Sequence, residues 1–220
     1  TTVVTIDGPA GAGKSTVAKQ LARRLLFSYL DTGAMYRALT LKALQLKADL
    51  EDESALVILA MGTAIDFKED SQNGLRVLLD GRDVTEAIRT LEVTNNTFYI
   101  ARASKVRAIM VDWQRQIGKK HNVVAEGRDV GTVVFPNAAY KFYLDANFAE
   151  RAHRRIRELE EKGQSVEAKK LKQELQERDQ KDLTRKVGPL KKADDAVFID
   201  STNFSVEEVV GMMMKYIKKQ

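Results

Sequence analysis

Val3-Val4-Thr5-Ile6-Asp7-Gly8-Pro9-Ala10-Gly11-Ala12-Gly13-Lys14-Ser15-Thr16 decides how this chain is read. An apolar, β-branched run leads in, glycines punctuate the middle, and from about Gly13 the apolar spacing turns helical. Strand, glycine-rich loop and helix in that order are the context of a phosphate-binding loop. The glycines let backbone N–H groups turn inward without Cβ clashes, which makes an anion-binding concavity. The helix that follows adds the positive end of its dipole. In such a loop Gly8, Pro9, Ala10, Gly11, Ala12, Gly13, Lys14, Ser15 and Thr16 surround nucleotide phosphates. Lys14 reaches the β- and γ-phosphates and the Ser15 hydroxyl is a magnesium ligand. A flexible Gly/Ala turn that merely contains a lysine would not also carry the Lys-Ser ending and both flanking elements.

The chain has 220 residues, which suits one domain with small appendages. Charged residues at 30% and hydrophobic residues at 44% are ordinary for a soluble globular protein. No run approaches the ~18 apolar residues of a membrane span, no signal peptide precedes the first strand, and no membrane partner is expected. Cysteine is absent, which excludes disulfides and cysteine metal sites and fits a reducing cytoplasm. A cytoplasmic monomer is the expectation. The net charge is +5 and the pI about 9.3. Such a balance suits either a nucleic-acid surface or a protein that gathers the phosphates of small substrates, and the placement of the arginines must decide.

After the loop, Val17 to Leu26 has helical apolar spacing. Phe27 to Asp31 reads as a strand, and Thr32, a natural N-cap, opens a helix from Ala34 to about Lys47. Asp52 to Gly62 is a short helix. Ile65 to Lys68 and Leu75 to Leu79 read as strands separated by the turn signal Asp70 to Gly74, with a second turn at Asp80 to Asp83. A single long helix is expected over about Glu92 to Lys119. Asn122 to Ala125 is a buried-type strand, Thr132 to Phe135 a short apolar stretch, and Lys141 to Leu144 another strand. Asn147 caps a helix from Phe148 to about Lys162, and Ser165 caps one from Val166 to about Val187. Ala196 to Ile199 is the last strand, and Ser205 caps a helix from Val206 to Lys218. Alternating strands and helices predict an α/β fold with a parallel sheet covered on both faces. Ligands in such sheets sit beyond the carboxyl ends of the strands.

Four further stretches carry candidate chemistry. Thr32 would meet a phosphate or sugar at a helix N-terminus, with Arg37 beyond it; an ordinary cap and a solvated arginine explain the same residues. Glu126-Gly127-Arg128-Asp129 offers a cation to phosphate and a carboxylate to a base amino group, the natural way to select cytosine. Arg107 would donate to the base's ring acceptors. A structural salt bridge in a turn is the plain alternative. In Arg151 to Lys162, the pairs Arg154 with Glu158 and Arg157 with Glu161 read as a solvated face. Arg151 and Arg155, with no acid four residues on, are the better candidates for phosphate or adenine contact. Arg178, Asp182 and Arg185 fall on one helical stripe and suit a phosphorylated sugar, or simple helical ion pairing.

With these residues assembled, the chain resembles the bacterial cytidylate branch of the nucleoside-monophosphate kinases, from Ile6 to the last helix. The resemblance is carried by Asp7 to Thr16, Asp31 to Arg37, Gly127 to Thr132, Glu150 to Arg155 and Arg178 to Pro189. It implies a P-loop kinase fold: a five-stranded parallel sheet flanked by helices, a small antiparallel β insert in the monophosphate-binding region and a helical lid. The implied division is one domain, with a core at about 1–63, 90–150 and 190–220, the insert at 64–89 and the lid at 151–189. The implied reaction moves the γ-phosphoryl group of ATP, with Mg²⁺, to CMP or dCMP. Gly8 to Thr16, Arg151 and Arg155 would bind ATP. Arg37, Arg128 and Arg185 would hold the acceptor phosphate, Arg107 and Asp129 would read cytosine, and Arg178 and Asp182 would meet the sugar. Thr32 and Tyr36 complete the acceptor set, and Lys14, Arg128, Arg155 and Arg185 would neutralise the transferring group. Where similar enzymes often place a serine against the base, Phe98 stands. The acid behind the metal is either Asp31 or Glu126. Two rival readings remain at the level of sequence: a nucleotide-gated switch or nucleic-acid-binding ATPase, and a kinase whose acceptor is UMP or a small hydroxyl compound.

Overall fold

Val3–Asp7 (β1) is buried from Val4 onward, which is why its sequence is an apolar run rather than an alternation: both faces are covered. The computed structural model describes residues 1–70, 74–161, 163 and 165–218. The chain forms two compact units, Thr1–Leu30 with Gly118–Gln220, and Asp31–Ile117. After β1 come α1 (Lys14–Leu25), β2 (Ser28–Asp31), α2 (Thr32–Gln45), α3 (Glu53–Met61), β3 (Ile65–Asp70), β4 (Gly74–Leu79) and β5 (Arg82–Asp83). Then follow α4 (Leu91–Arg102), α5 (Ser104–Lys120), β6 (Val123–Gly127), β7 (Tyr140–Asp145), α6 (Phe148–Glu161), α7 (Ala168–Thr184), β8 (Val197–Asp200) and α8 (Val206–Lys218).

The first unit is built on a five-stranded sheet in the order β2-β6-β1-β7-β8. The β1–β6, β1–β7 and β7–β8 ladders are parallel, and their register brings Asp7 level with Gly127 and Tyr143 at one end of the sheet. That end therefore gathers the polar residues that follow the strands. Val17, Ala18, Leu21 and Ala22 of α1 are buried, and the Phe142 ring meets Tyr216 of α8 edge-on at 5.7 Å. Helix α8 starts with a reciprocal cap: Ser205 Oγ accepts from Glu208 N at 3.3 Å, and Glu208 Oε2 accepts from Ser205 N at 2.8 Å.

Helix α1 stops at Leu26, which is left-handed (φ 57°) and 93% exposed. Its N–H closes the helix end on Ala22 O and Arg23 O, a role ordinarily taken by glycine. Leu26→Gly is expected to stabilise the protein by about 0.5 kcal/mol, the left-handed strain relieved less the glycine's unfolded-state entropy. In a thermal melt this appears as a rise of roughly 1–2 °C.

In the second unit, β3, β4 and β5 form the expected antiparallel insert. Its inner face joins Val77, Leu79 and Val84 to Ala34 and Ala38 of α2 and to Ile88. The expected turn over Asp70 to Gly74 includes residues 71–73, which lie outside the described residues.

Several local expectations are corrected. The stretch read as one long helix is two, broken at Ala103 (ψ 107°). No proline or glycine marks the break; Glu53 Oε1 accepts from Lys105 N at 2.9 Å and Ser104 Oγ at 3.2 Å, so the new helix start is capped from α3. Thr32 is not the cap of α2: Asp31 is, its Oδ1 accepting from Ala34 N at 2.8 Å. Helix α7 begins at Ala168 rather than after Ser165 and ends at Thr184. Arg185 (ψ 139°) therefore lies beyond the helix, where the chain folds back so that Leu190 N donates to Asp182 O at 2.8 Å.

Candidate active site

The phosphate loop lies between β1 and α1, and its first glycine cannot be exchanged. A Cβ on Gly8 would stand 1.9 Å from the Leu144 carbonyl oxygen, because the loop leaves β1 pressed against β7. Pro9, Ala10 and Ala12 are buried, Gly11 and Gly13 partly so, and Ser15 and Thr16 exposed in the first turn of α1. No side chain caps that helix start. Lys14 folds back over the loop and donates to Pro9 O at 2.7 Å. Burial, then Arg128, lower its pKa to about 7, with Glu126 opposing and Arg178 adding to the fall.

At the end of β6 the chain turns through Gly127 to Asp129 into a single π-helical turn, Val130–Val134, where sequence showed only a short apolar stretch. Arg128 Nε donates to Asp182 Oδ2 at 2.7 Å, and Arg185 Nη2 to Asp129 Oδ1 at 3.2 Å. Asp182 is partly buried, which acts to raise its pKa, but Arg128 and Arg178 outweigh this and hold it below the ordinary carboxylate range. Burial likewise acts to lower Arg128, and Asp182 and Glu126 reverse the sign. Lys14, Arg128, Asp129, Arg178, Asp182 and Arg185 are thus one charged neighbourhood, within the first unit, at the carboxyl end of the sheet. Glu126 accepts from the Tyr29 hydroxyl at 2.5 Å.

Arg151 is buried and braces the loop. Its Nη1 donates to Ala10 O at 3.0 Å and to Asp179 Oδ2 at 2.6 Å, and its Nε to Ala146 O at 3.1 Å. Arg155 instead pairs with Glu158 at 2.7 Å. The expected Arg154–Glu158 pair is corrected: the acid of Arg154 is Glu150, one turn back, at 2.9 Å. Arg154 is the residue that sequence reasoning passed over. Its guanidinium donates to Ser201 O at 2.7 Å, to Ser201 Oγ at 3.0 Å and to Ala12 O at 3.4 Å, tying the loop to the end of β8. The only sequence signal was an arginine on the helix after β7, which carries four of them.

In the second unit, Arg37 Nη2 donates to Asp31 Oδ2 at 2.9 Å. Thr32 and Tyr36 are buried on α2. Arg107, 2% exposed, lies over the Tyr36 ring with its guanidinium carbon 5.5 Å from the centroid. Phe98 packs edge-on against Tyr99, and Arg102 covers both rings and pairs with Glu51. Among the described residues no helix is long and apolar enough to cross a membrane.

The family model described as cytidylate kinase matches residues 4–219. The cytidylate kinase of Desulforamulus reducens is 48% identical over 216 residues, which cover 98% of this chain and 96% of the relative. That of a Geobacillus species is 49% identical over 217 residues, covering 99% and 96%. Among solved structures, shikimate kinase from Bacteroides thetaiotaomicron aligns over 99% of this chain and 98% of its own, with a TM-score of 0.51 and 12% identity. TT1252 from Thermus thermophilus aligns over 99% and 96%, with a TM-score of 0.51 and 17% identity. At such identities the likeness to the solved structures is one of fold.

Proposed function

Because this chain belongs to the cytidylate kinase family, and is an ATP-using nucleoside-monophosphate kinase of the P-loop fold, we propose that it phosphorylates CMP and dCMP through the residues described above. The observation that carries the proposal is the company Lys14 keeps. The phosphate-loop lysine shares its electrostatic surroundings with Arg128, Arg178, Glu126 and Asp182, so donor and acceptor charges meet in one neighbourhood. Gly8 to Thr16 bind the ATP phosphates, with Arg151 bracing the loop and Arg155 on the same helix completing the ATP side. Arg128 and Arg185 exchange their carboxylate partners for the acceptor phosphate, and Arg178 and Asp182 meet the sugar. Asp129 accepts from the cytosine amino group. Thr32, Tyr36, Arg37 and Arg107 lie in the second unit, and their acceptor role rests on the family resemblance alone.

The acceptor phosphate is already an anion at neutral pH, so no strong general base is assigned. Catalysis rests on alignment and charge neutralisation by Lys14, Arg128, Arg155 and Arg185, with the α6–α7 segment closing to exclude water. The exposed Ser15 hydroxyl, next to Lys14, is the hard oxygen donor that Mg²⁺ takes alongside phosphates. Bound Mg²⁺ would supply charge neutralisation on the β- and γ-phosphates. Glu126, at the carboxyl end of β6 and with its charge felt by Lys14, is the acid assigned to the metal side. The protein acts as a cytoplasmic monomer on small nucleotides, with no nucleic-acid or membrane partner.

ADP formation should be much faster with CMP or dCMP than with UMP, AMP or GMP; equal turnover of all would overturn the cytosine assignment. Asp129→Ala should lower the CMP-over-UMP preference roughly 10- to 100-fold, the ~1–3 kcal/mol of a specific base-edge contact, while the KM for ATP moves little. An unchanged preference in that variant would count against Asp129 as the base reader.

A further inference from the structure

We infer that Asp7 is a positioning residue of the acceptor site: it clamps the backbone amides of Val130 and Gly131 and so sets the aim of Arg128 and Asp129. The inference rests on the acceptor reading above and adds a residue to it. Asp7 is the last residue of β1 and directly precedes the phosphate loop. Its Oδ1 accepts from Val130 N at 2.8 Å and its Oδ2 from Gly131 N at 2.7 Å, and the residue is 3% exposed. Both oxygens of a buried carboxylate are thereby spent on one turn.

Those two amides are the first two orphan donors of the π-helical turn, and the second of them is one that a residue in the cap position ordinarily satisfies with its own side chain. Asp129 holds that position, is itself an aspartate, and makes no such bond. Its carboxylate meets Arg185 instead. Asp7 does the capping from the neighbouring strand, and the Asp129 carboxylate meets Arg185 without serving that turn. The approach is possible because residue 131 has no side chain: a Cβ there would lie 2.8 Å from Thr5 Oγ1 and 3.2 Å from Asp7 Oδ2. Burial pushes the Asp7 carboxyl up to about 6; the Gly131 and Val130 amides and Lys14 oppose that rise, Asp129 adds to it, and the group stays ionised at neutral pH.

Asp7→Asn keeps the shape but has one acceptor where two are needed, and it turns an amide donor toward a backbone donor. It also removes a buried charge, which favours folding. The test is steady-state kinetics with CMP and UMP on Asp7→Asn, Asp129→Ala and the double variant. The expected result for Asp7→Asn is a tenfold or greater rise in the KM for CMP and a tenfold or greater loss of CMP-over-UMP preference. The KM for ATP should stay within threefold, and the double variant should lose no more preference than Asp129→Ala alone. Loss of preference in Asp129→Ala with full retention in Asp7→Asn would overturn the clamp while leaving the base reader in place. A parallel rise of both KM values with preference intact would mark Asp7 as merely structural and overturn it too. If Asp129→Ala keeps its preference, or Asp7→Asn does not fold, amide hydrogen exchange of the unaltered protein decides. Slow exchange at both Val130 and Gly131 supports the clamp, and exchange at the rate of exposed amides refutes it.

Discussion

Lys14→Met should lower kcat by roughly 10²–10³-fold or more, the scale of losing one preorganised donor to a transition-state charge. The variant should remain folded, because methionine is close to lysine in length and no longer forces an ammonium into a buried site. A loss of less than tenfold, in a protein with an unchanged melting temperature, would remove Lys14 from the transfer step. The same burial gives a pH signature. The folded protein releases the Lys14 proton near pH 7, whereas the unfolded chain holds it to about 10.5. Between those values the unfolded state binds more protons, so stability rises with pH; the cost of burying the charged form is full below pH 7 and fades above it. A bound triphosphate restores the charge, so ATP binding at pH 8 should take up protons. Calorimetry in two buffers of different ionisation enthalpy reads this directly, and the uptake should vanish near pH 6.

Arg128→Ala should combine the largest loss of acceptor binding with a measurable loss of stability. It strands Asp182, whose best hydrogen bond is the 2.7 Å contact from Arg128 Nε. Breaking a buried pair from one side costs about 3–5 kcal/mol, but both side chains are 17–18% exposed and Arg178 and Arg185 remain near. The expected cost is therefore about 2–3 kcal/mol, or roughly 5–10 °C in a thermal melt. Because Asp182 is held below its ordinary value of 3.8, that contribution is present above about pH 4 and lost on acidification. Activity should fall roughly 10²–10³-fold, with KM for CMP raised far more than KM for ATP. Arg128→Lys should recover part of the stability and little of the activity, since an ammonium cannot supply the guanidinium fork. Full activity in the lysine variant would argue that only charge matters at this position.

What the sequence made legible is local. The strand, loop and helix of Val3 to Thr16 and the Ser205 cap each depend on neighbours within a few positions, and each appears as expected. The choice of ion-pair partners is not local. Arg154 and Arg155 differ by one position, yet one reaches Ser201 and the other Glu158, because the carbonyls of the loop and of the end of β8 lie beside Arg154. The break at Ala103 has the same origin: Glu53, fifty-two residues before Lys105, stabilises a helix start that periodicity cannot see. Arg185 leaves α7 because Leu190 returns to Asp182, an event set by Gly188-Pro189 downstream and not by the stripe it shares with Arg178.

The contact between Gly8 and the Leu144 carbonyl bears on how far this loop is a transferable part. With only 1.9 Å between that oxygen and the place of a Cβ, the loop's exit angle is dictated by the spacing of two central strands. Grafted by sequence alone onto another scaffold, Gly8 to Thr16 would lose the wall that shapes it. A working transplant must carry β7 along with β1, so the smallest movable module is a strand pair with its loop and helix.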